Sequence, residues 1–234
     1  MVIPALDEER ALPLVLAELP AGWVERVVVC DNGSRDRTAE VARAAGATVV
    51  HEPRRGYGSA CLRALRALRE QPEGPPEVVV FLDADHSDYP EELPALLAPI
   101  LAGEADLVIG SRALRPEARA ALLPQARWGN LLAVTLIRWT WGARFSDLGP
   151  FRAVTWEALE RARMRDPDFG WTVELQVRAA QLGLRAREVP VRYRARVGRS
   201  KITGTVSGTL RAGKKILGTI ARFRLEELLG RGTR

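Results

Sequence analysis

Val78-Val79-Val80-Phe81-Leu82-Asp83-Ala84-Asp85 is an unbroken apolar run that closes on two carboxylates. Its apolar part is too short for a helix and lacks the alternation of a half-exposed strand, so it reads as a strand covered on both faces. The same pattern recurs on either side. Val2-Ile3 leads into a helical pattern over 7–19, Val27 to Cys30 into one over 37–45, and Thr48 to Val50 into one over 56–69. The central run itself precedes a helix over 91–101, and Leu107-Val108-Ile109 follows. Short strands separated by helices give an α/β, doubly wound fold with a mostly parallel sheet and helices on both faces. Pro4 follows Met1 so closely that the first strand is expected to be unusually short, or to begin a few codons upstream.

Beyond Gly110 the pattern changes. Residues 126–141 read as a helix bearing Trp128, Trp139 and Trp141, with Arg127 and Arg138 on one face. A further helix is predicted over 170–182 and a strand over 184–191. Residues 204–224 form the clearest amphipath, with Val206, Leu210, Leu217 and Ile220 on one side and Arg211, Lys215 and Arg222 opposite.

The 234 residues carry 35 Lys+Arg and 29 Asp+Glu, a formal charge of +6, with 47% hydrophobic and 27% charged residues. That composition excludes a disordered tail, a collagen-like repeat and a cysteine-stapled mini-domain. Cys30 and Cys61 are expected as reduced thiols of a cytoplasmic protein, since neither belongs to a metal-binding spacing. The first residues lack the basic-then-apolar pattern of a secretory signal. The longest apolar run, Leu131–Ile137, is far below the roughly 20 residues of a bilayer span. Charge is uneven: residues 185–234 hold a net +11 and residues 1–184 a net −5. A basic tail on an acidic body points to an anionic partner, whether membrane surface, phosphate-bearing ligand or nucleic acid. A nucleic-acid groove would avoid the acidic residues that close two strands, so no nucleic-acid partner is expected.

In an open α/β sheet, ligands bind beyond the C-terminal ends of the strands. Asp83 and Asp85, two apart, share a side of an extended segment there and repel each other unless a cation joins them. Hard oxygen ligands suit Mg²⁺ or Mn²⁺, which would in turn hold a diphosphate. The plainer alternative, a helix-capping aspartate ahead of Pro90-Glu91, is better filled by Asp88. Asp31-Asn32-Gly33-Ser34-Arg35-Asp36 ends the second strand in the equivalent place, suited to a base or ribose, with Asp36 capping the next helix. Arg54-Arg55-Gly56-Tyr57-Gly58 opens a helix with glycines and two cations, a phosphate contact in kind, although taken alone it reads first as a glycine turn.

Together with Pro4-Ala5-Leu6-Asp7-Glu8, these segments resemble, in order, the family 2 glycosyltransferases of the GT-A nucleotide-sugar fold. Gly110-Ser111-Arg112, Arg127-Trp128-Gly129-Asn130, Asp147 to Arg152, Gly170 to Glu174 and Gly198-Arg199-Ser200-Lys201 narrow the likeness to the dolichyl- (polyprenyl-) phosphate mannose and glucose synthase-like branch. The resemblance spans nearly the whole chain. It implies a catalytic domain over 1–200, with a nucleotide-sugar half (1–110) and an acceptor half (111–200), followed by a basic amphipathic segment (201–234).

The resemblance further implies that Pro4, Ala5, Asp7, Glu8, Asp31, Asn32 and Ser34 hold the base and ribose. Arg54, Gly58, Asp83, Ala84, Arg112, Arg196, Ser200 and Lys201 are then expected to serve the rest of the donor. Asp85 is the expected principal metal ligand, with Asp83 beside it, and Arg112, Arg127, Asn130 and Trp171 are expected on the acceptor side. The sequence departs from the family in three places: Asp7 stands for the more usual Asn, Ser87 for a metal-binding Gln, and Asp147-Leu148-Gly149-Pro150 for Thr-Ser-Gly. The implied reaction is inverting transfer of a hexose from a UDP-glucose- or GDP-mannose-type donor to a polyprenyl or dolichyl phosphate. An acceptor phosphate needs no strong base, whereas an alcohol acceptor would call on Asp147 or Glu174, the latter equally able to pair with Arg178. The 204–224 helix and the three tryptophans predict peripheral attachment to the cytoplasmic face of a membrane, the plainer alternative being that both helices pack on the catalytic domain with the tryptophans as core.

Overall fold

The computed structural model describes residues 1–198 and 206–230, with side chains over 1–198 and 213–230. Seven strands form one sheet: β1 (Val2–Ala5), β2 (Val28–Asp31), β3 (Thr48–His51), β4 (Val78–Phe81), β5 (Leu107–Ser111), β6 (Arg152–Thr155) and β7 (Ala186–Pro190). Their order is β3-β2-β1-β4-β6-β5-β7, with β6 antiparallel to both of its neighbours and every other pairing parallel. Nine helices are described: α1 (Leu12–Ala17), α2 (Thr38–Ala44), α3 (Tyr57–Arg69), α4 (Leu93–Leu101), α5 (Pro116–Ala121), α6 (Pro124–Trp141), α7 (Trp156–Ala162), α8 (Trp171–Leu182) and α9 (Val206–Leu228).

The apolar strands alternate between two cores, as the pleat dictates. Val2, Val28, Cys30, Val79 and Phe81 face α3, α7 and α8, while Ile3, Ala5, Val29, Val80 and Leu82 face α1 and α4. Trp171 seals the first core, edge-on to Phe81 with ring centroids 5.8 Å apart. Both cysteines are free and buried.

Several sequence expectations need correction. Residues 152–155, to which no element was assigned, form the antiparallel strand β6, whose leading Arg152 is fully buried. Its guanidinium donates to the carbonyls of Leu148, Gly149 and Thr172, which offsets part of the cost of burying a charged side chain in a strand. Two further helices, α5 and α7, were not foreseen. The first helix begins at Leu12 rather than near Asp7, whose φ of +52° lies outside the right-handed helical region. The N–H groups of Asp7, Glu8 and Glu9 instead tie 7–9 to the β2–α2 loop, donating to Ser34 Oγ, Thr38 Oγ1 and Asp36 Oδ2 at 2.9, 2.7 and 3.1 Å. Asp36 also accepts from the Thr38 N–H at 3.0 Å, in keeping with its expected place at the head of α2.

Asp88 does not cap. The turn Pro90–Glu92 and α4 lack side-chain caps, and both Asp88 carboxylate oxygens lie buried without a hydrogen-bond partner among the described residues. Burial, followed by the charge of Asp83, pushes the Asp88 carboxyl well above its usual range. In α9 the apolar side is already spent on the body: Ile216, Ile220 and Phe223 pack with Ala133 and Ile137 of α6 and Val173 and Val177 of α8. Lys215 pairs with buried Asp166 at 3.1 Å. The side chains of Val206, Leu210 and Arg211 lie outside the described residues.

Candidate active site

The sheet changes direction between β1 and β4, and there it comes apart. β1 follows β2 through four register positions but meets β4 at only one, Val2 opposite Phe81. Pro4 falls just past that rung, where β4 has already ended, so its missing N–H leaves no sheet partner unsatisfied. Into the opening project the tips of both strands: Pro4, Ala5 and Leu6 on one side, Asp83, Ala84 and Asp85 on the other. A cavity of about 340 Å³ fills this topological switch point, the place where open α/β sheets bind ligands.

Asp85 is buried and shares its oxygens. Oδ1 accepts from the Ser87 N–H at 3.0 Å and the Ser87 hydroxyl at 2.6 Å, and Oδ2 meets Arg196 Nη2 at 2.8 Å. Ser87 thus orients Asp85. The turn between them is sharp: His86 has φ +61°, and its Nε2 lies 2.8 Å from Glu18 Oε1. Asp83 Oδ1 is cut off from solvent without a hydrogen-bond partner among the described residues, with Tyr57 near the same carboxylate on the cavity wall. Burial and then the charge of Asp85 push the Asp83 carboxyl up to about 7, against the pull of Arg196 and Tyr57. An orphaned carboxylate oxygen beside a second carboxylate, both on the cavity wall, fits a divalent cation. The described residues contain no cluster of three or more His, Cys, Asp or Glu able to hold one alone, so a ligand bound in the cavity would have to complete the coordination.

The other expected donor residues divide into wall and frame. Glu8, Asn32 and Arg196 line the cavity, as does Arg55 rather than the exposed Arg54. Asp7, Asp31 and Ser34 stand behind as a frame: Asp31 Oδ1 accepts from the Ser34 N–H at 2.9 Å, and Asp7 Oδ1 from the Arg35 N–H at 2.7 Å. Asn32 Oδ1 accepts from the Gly56 N–H at 2.8 Å, tying the β2 tip to the start of α3. Gly58 serves packing rather than ligand contact. A Cβ there would collide with the Asp166 carbonyl, and one at Gly56, where φ is +144°, with that of Pro167. Ser200 and Lys201 lie outside the described residues.

The second half of the chain departs furthest from expectation. Asp147 is fully buried, and both its oxygens hold Arg112 through Nε and Nη2 at 2.8 Å each. Burial raises its carboxyl, but the Arg112 charge and hydrogen bonds prevail and hold it below the usual carboxylate range. It is therefore not available as a base. Arg112, stacked 5.0 Å from the Tyr193 ring, is correspondingly fixed. Glu174 is buried too; its Oε2 accepts from the Arg165 and Asp166 N–H groups at 3.1 and 2.6 Å, so it organises a loop instead of facing a reactant. Trp171 is core, not acceptor surface. Asn130 is occupied, donating to the Ser146 carbonyl and accepting from the Leu148 N–H at 2.7 Å. Arg127 is exposed on α6, outside the cavity wall.

That loop brings in two wall residues which sequence reading missed, Asp168 and Phe169, joined by Tyr57 and Ala60 of α3. Their only sequence signal was proximity to the Gly170–Glu174 segment.

Residues 1–161 match the family model described as glycosyl transferase family 2. The chain belongs to glycosyl transferase family 2. Among similar proteins are an uncharacterised glycosyltransferase of Mycobacterium tuberculosis, 40% identical over 90% of this chain and 92% of that protein, and a dolichyl-phosphate hexose transferase of Haloferax volcanii, 34% identical over 96% and 95%. An undecaprenyl-phosphate mannosyltransferase of Micrococcus luteus is 33% identical over 88% of each chain. Among solved structures, glucosyl-3-phosphoglycerate synthase from M. tuberculosis with Mn²⁺, UDP and glucosyl-3-phosphoglycerate is 28% identical, with a TM-score of 0.65 over 98% of this chain and 78% of its own. This family 2 chain is thus a glycosyltransferase on a GT-A framework, with β1, β2 and β4 presenting the cavity and β6 stitching β4 to β5.

Proposed function

We propose that this glycosyltransferase moves a hexose from a nucleotide sugar, with inversion, to a polyprenyl or dolichyl phosphate. The observation that carries the reading is the Asp83–Asp85 pair at the switch point, facing a cavity whose other walls offer a nucleotide-sized cleft and the Arg196 cation. Asp83 and Asp85 would hold Mg²⁺ or Mn²⁺, which supplies charge neutralisation for a diphosphate leaving group. An acceptor oxygen bonds to the anomeric carbon as the bond to the diphosphate breaks, and the nucleoside diphosphate departs with the electron pair. Arg196, fixed on the wall, stabilises the negative charge that develops there.

A phosphate acceptor arrives already ionised. That suits a site in which the two carboxylates anticipated as bases, Asp147 and Glu174, are both committed to structural hydrogen bonds. The names of the Haloferax and Micrococcus relatives support the same acceptor class. The test is a transfer assay with labelled UDP-glucose or GDP-mannose, Mg²⁺ or Mn²⁺, and either polyprenyl phosphate or 3-phosphoglycerate. Product is expected with the lipid; transfer confined to 3-phosphoglycerate would overturn the acceptor and leave the donor reading standing.

Peripheral membrane contact belongs to the same proposal, now centred on α6. No described helix is long and apolar enough to cross a membrane. On α6, however, Trp128 and Trp139 are 72% and 78% exposed on one side, with exposed Leu131 and Leu132 between them and Arg127 and Arg138 on the flank. Indole rings at headgroup depth, flanked by cations, suit an anionic surface. Trp141 is instead turned to the body, its Nε1 donating to Glu227 at 2.8 Å. Replacing Trp128 and Trp139 together by Ser is expected to lower partition onto phosphatidylglycerol vesicles about tenfold in sedimentation, with the remaining binding lost at high salt.

A further inference from the structure

The cavity wall contains one carboxylate that none of the preceding roles uses. Asp168 lines the cavity next to half-buried Phe169, and among the described residues its carboxylate makes no hydrogen bond or ion pair. The other acidic wall residues already have a role or a partner: Asp83 and Asp85 form the proposed cation site, Asp85 also bonding Ser87 and Arg196, and Glu8 has an interaction of its own.

The short loop that carries the pair is pinned from three sides. From α3, the Ser59 N–H and hydroxyl donate to the Pro167 carbonyl at 2.8 and 3.1 Å. From α8, Glu174 holds the Arg165 and Asp166 N–H groups. From α9, Lys215 holds Asp166, whose Oδ1 in turn accepts from the Asp168 N–H at 2.8 Å. Gly56, Gly58 and Gly170 leave room for nothing between this loop and its supports. Such fixation preorganises Asp168 and Phe169 without itself needing a charged partner for the carboxylate.

We infer that Asp168 and Phe169 read the hexose of the donor, the carboxylate accepting from sugar hydroxyls while the ring covers an apolar face of C–H groups. The chemistry of the pair sets the class of ligand. A free carboxylate repels a diphosphate but accepts strongly from neutral hydroxyls, and an aromatic ring beside it offers an apolar surface to the same molecule. Hydroxyls occur on both the ribose and the hexose, and the topology favours the hexose. The tips of β1 and β2 furnish their walls from the segments expected to hold the base and ribose, whereas Asp168 and Phe169 reach the cavity from the separate loop between α7 and α8. Glu174 then acts as a positioning residue through the loop. This inference rests on the donor reading proposed above and assigns its sugar-specific contacts.

Calorimetric titration of the full chain in Mg²⁺ with UDP-glucose, UDP, GDP-mannose and GDP separates the alternatives. In Asp168→Asn, whichever sugar nucleotide the wild type prefers should bind about tenfold more weakly, with the parent nucleoside diphosphate unchanged within twofold. Phe169→Leu should show the same selective loss, and matching thermal midpoints establish that both variants are folded. Equal weakening of nucleotide and sugar nucleotide puts the carboxylate on the ribose and overturns the inference, as does unaltered binding of both. Intact binding with a collapsed kcat also overturns it, because the carboxylate would then be a base. A wild-type chain that binds neither nucleotide pair removes the donor reading and this inference together.

Discussion

Asp85→Asn will lower kcat/KM for transfer about a thousandfold, equivalent to about 4 kcal/mol of transition-state stabilisation. The substitution keeps the shape of the side chain and leaves an oxygen for the Ser87 N–H and hydroxyl, so the turn after β4 should persist. What disappears is the charge. Asp83 alone would then face the proposed divalent ion, and Arg196 would lose its 2.8 Å partner. A metal site reduced from two anionic ligands to one binds weakly, and charge stabilisation of a leaving group is the largest lever available to such an enzyme. The check is a Mn²⁺ titration at saturating UDP, followed calorimetrically, beside the steady-state rate. Wild-type kcat/KM together with wild-type Mn²⁺ affinity in Asp85→Asn would dismiss the paired-carboxylate site.

Asp147→Asn will be strongly destabilising. It leaves the Arg112 guanidinium, 13% exposed, without the bidentate carboxylate that compensates its burial. Breaking a buried pair from one side costs roughly 3–5 kcal/mol. At about 2–4 °C per kcal/mol for a chain of this size, the thermal midpoint should fall by at least about 6 °C. The pH dependence has a definite sign. The Asp147 carboxyl in the folded chain lies below its ordinary value, so its contribution is complete above the unfolded pKa of about 3.9 and disappears as pH falls through the folded value. The gap between wild type and Asp147→Asn, measured by urea unfolding, should therefore be constant from neutral pH down to about pH 5 and narrow below about pH 4. A gap that widened in acid would contradict the pairing.

Much of this architecture is local and so can be read along the chain. Val78–Phe81 is a strand because its neighbours are apolar without alternation, and Asp83 and Asp85 lie at its tip because the strand ends there. The segments that frame the cavity at β1, β2 and α3 are each continuous in sequence. What escaped reading depends on partners far away. β6 is four residues long and starts with a charged side chain, and only the carbonyls of Leu148, Gly149 and Thr172 make burying Arg152 tolerable. Asp147 reads as a free carboxylate until Arg112, 35 positions earlier, is placed against it. Trp171 at a helix start resembles a ligand platform, and only the stacking of α8 on the sheet turns it onto Phe81. Asp168 meets the cavity because Pro167 sits on Ser59, 108 positions distant. The periodicity of α9 likewise announced an apolar side without saying that α6 and α8 would cover it.

The single rung between β1 and β4 has a mechanical consequence. Two groups of strands, β3-β2-β1 and β4-β6-β5-β7, are each continuous but joined to one another by little hydrogen bonding. A molecule lodged between Pro4 and Asp85 therefore bridges a seam, and its binding energy adds directly to the cohesion of the two groups. Occupancy should slow amide exchange along both lips of that seam at once, so that substrate acts here as a keystone.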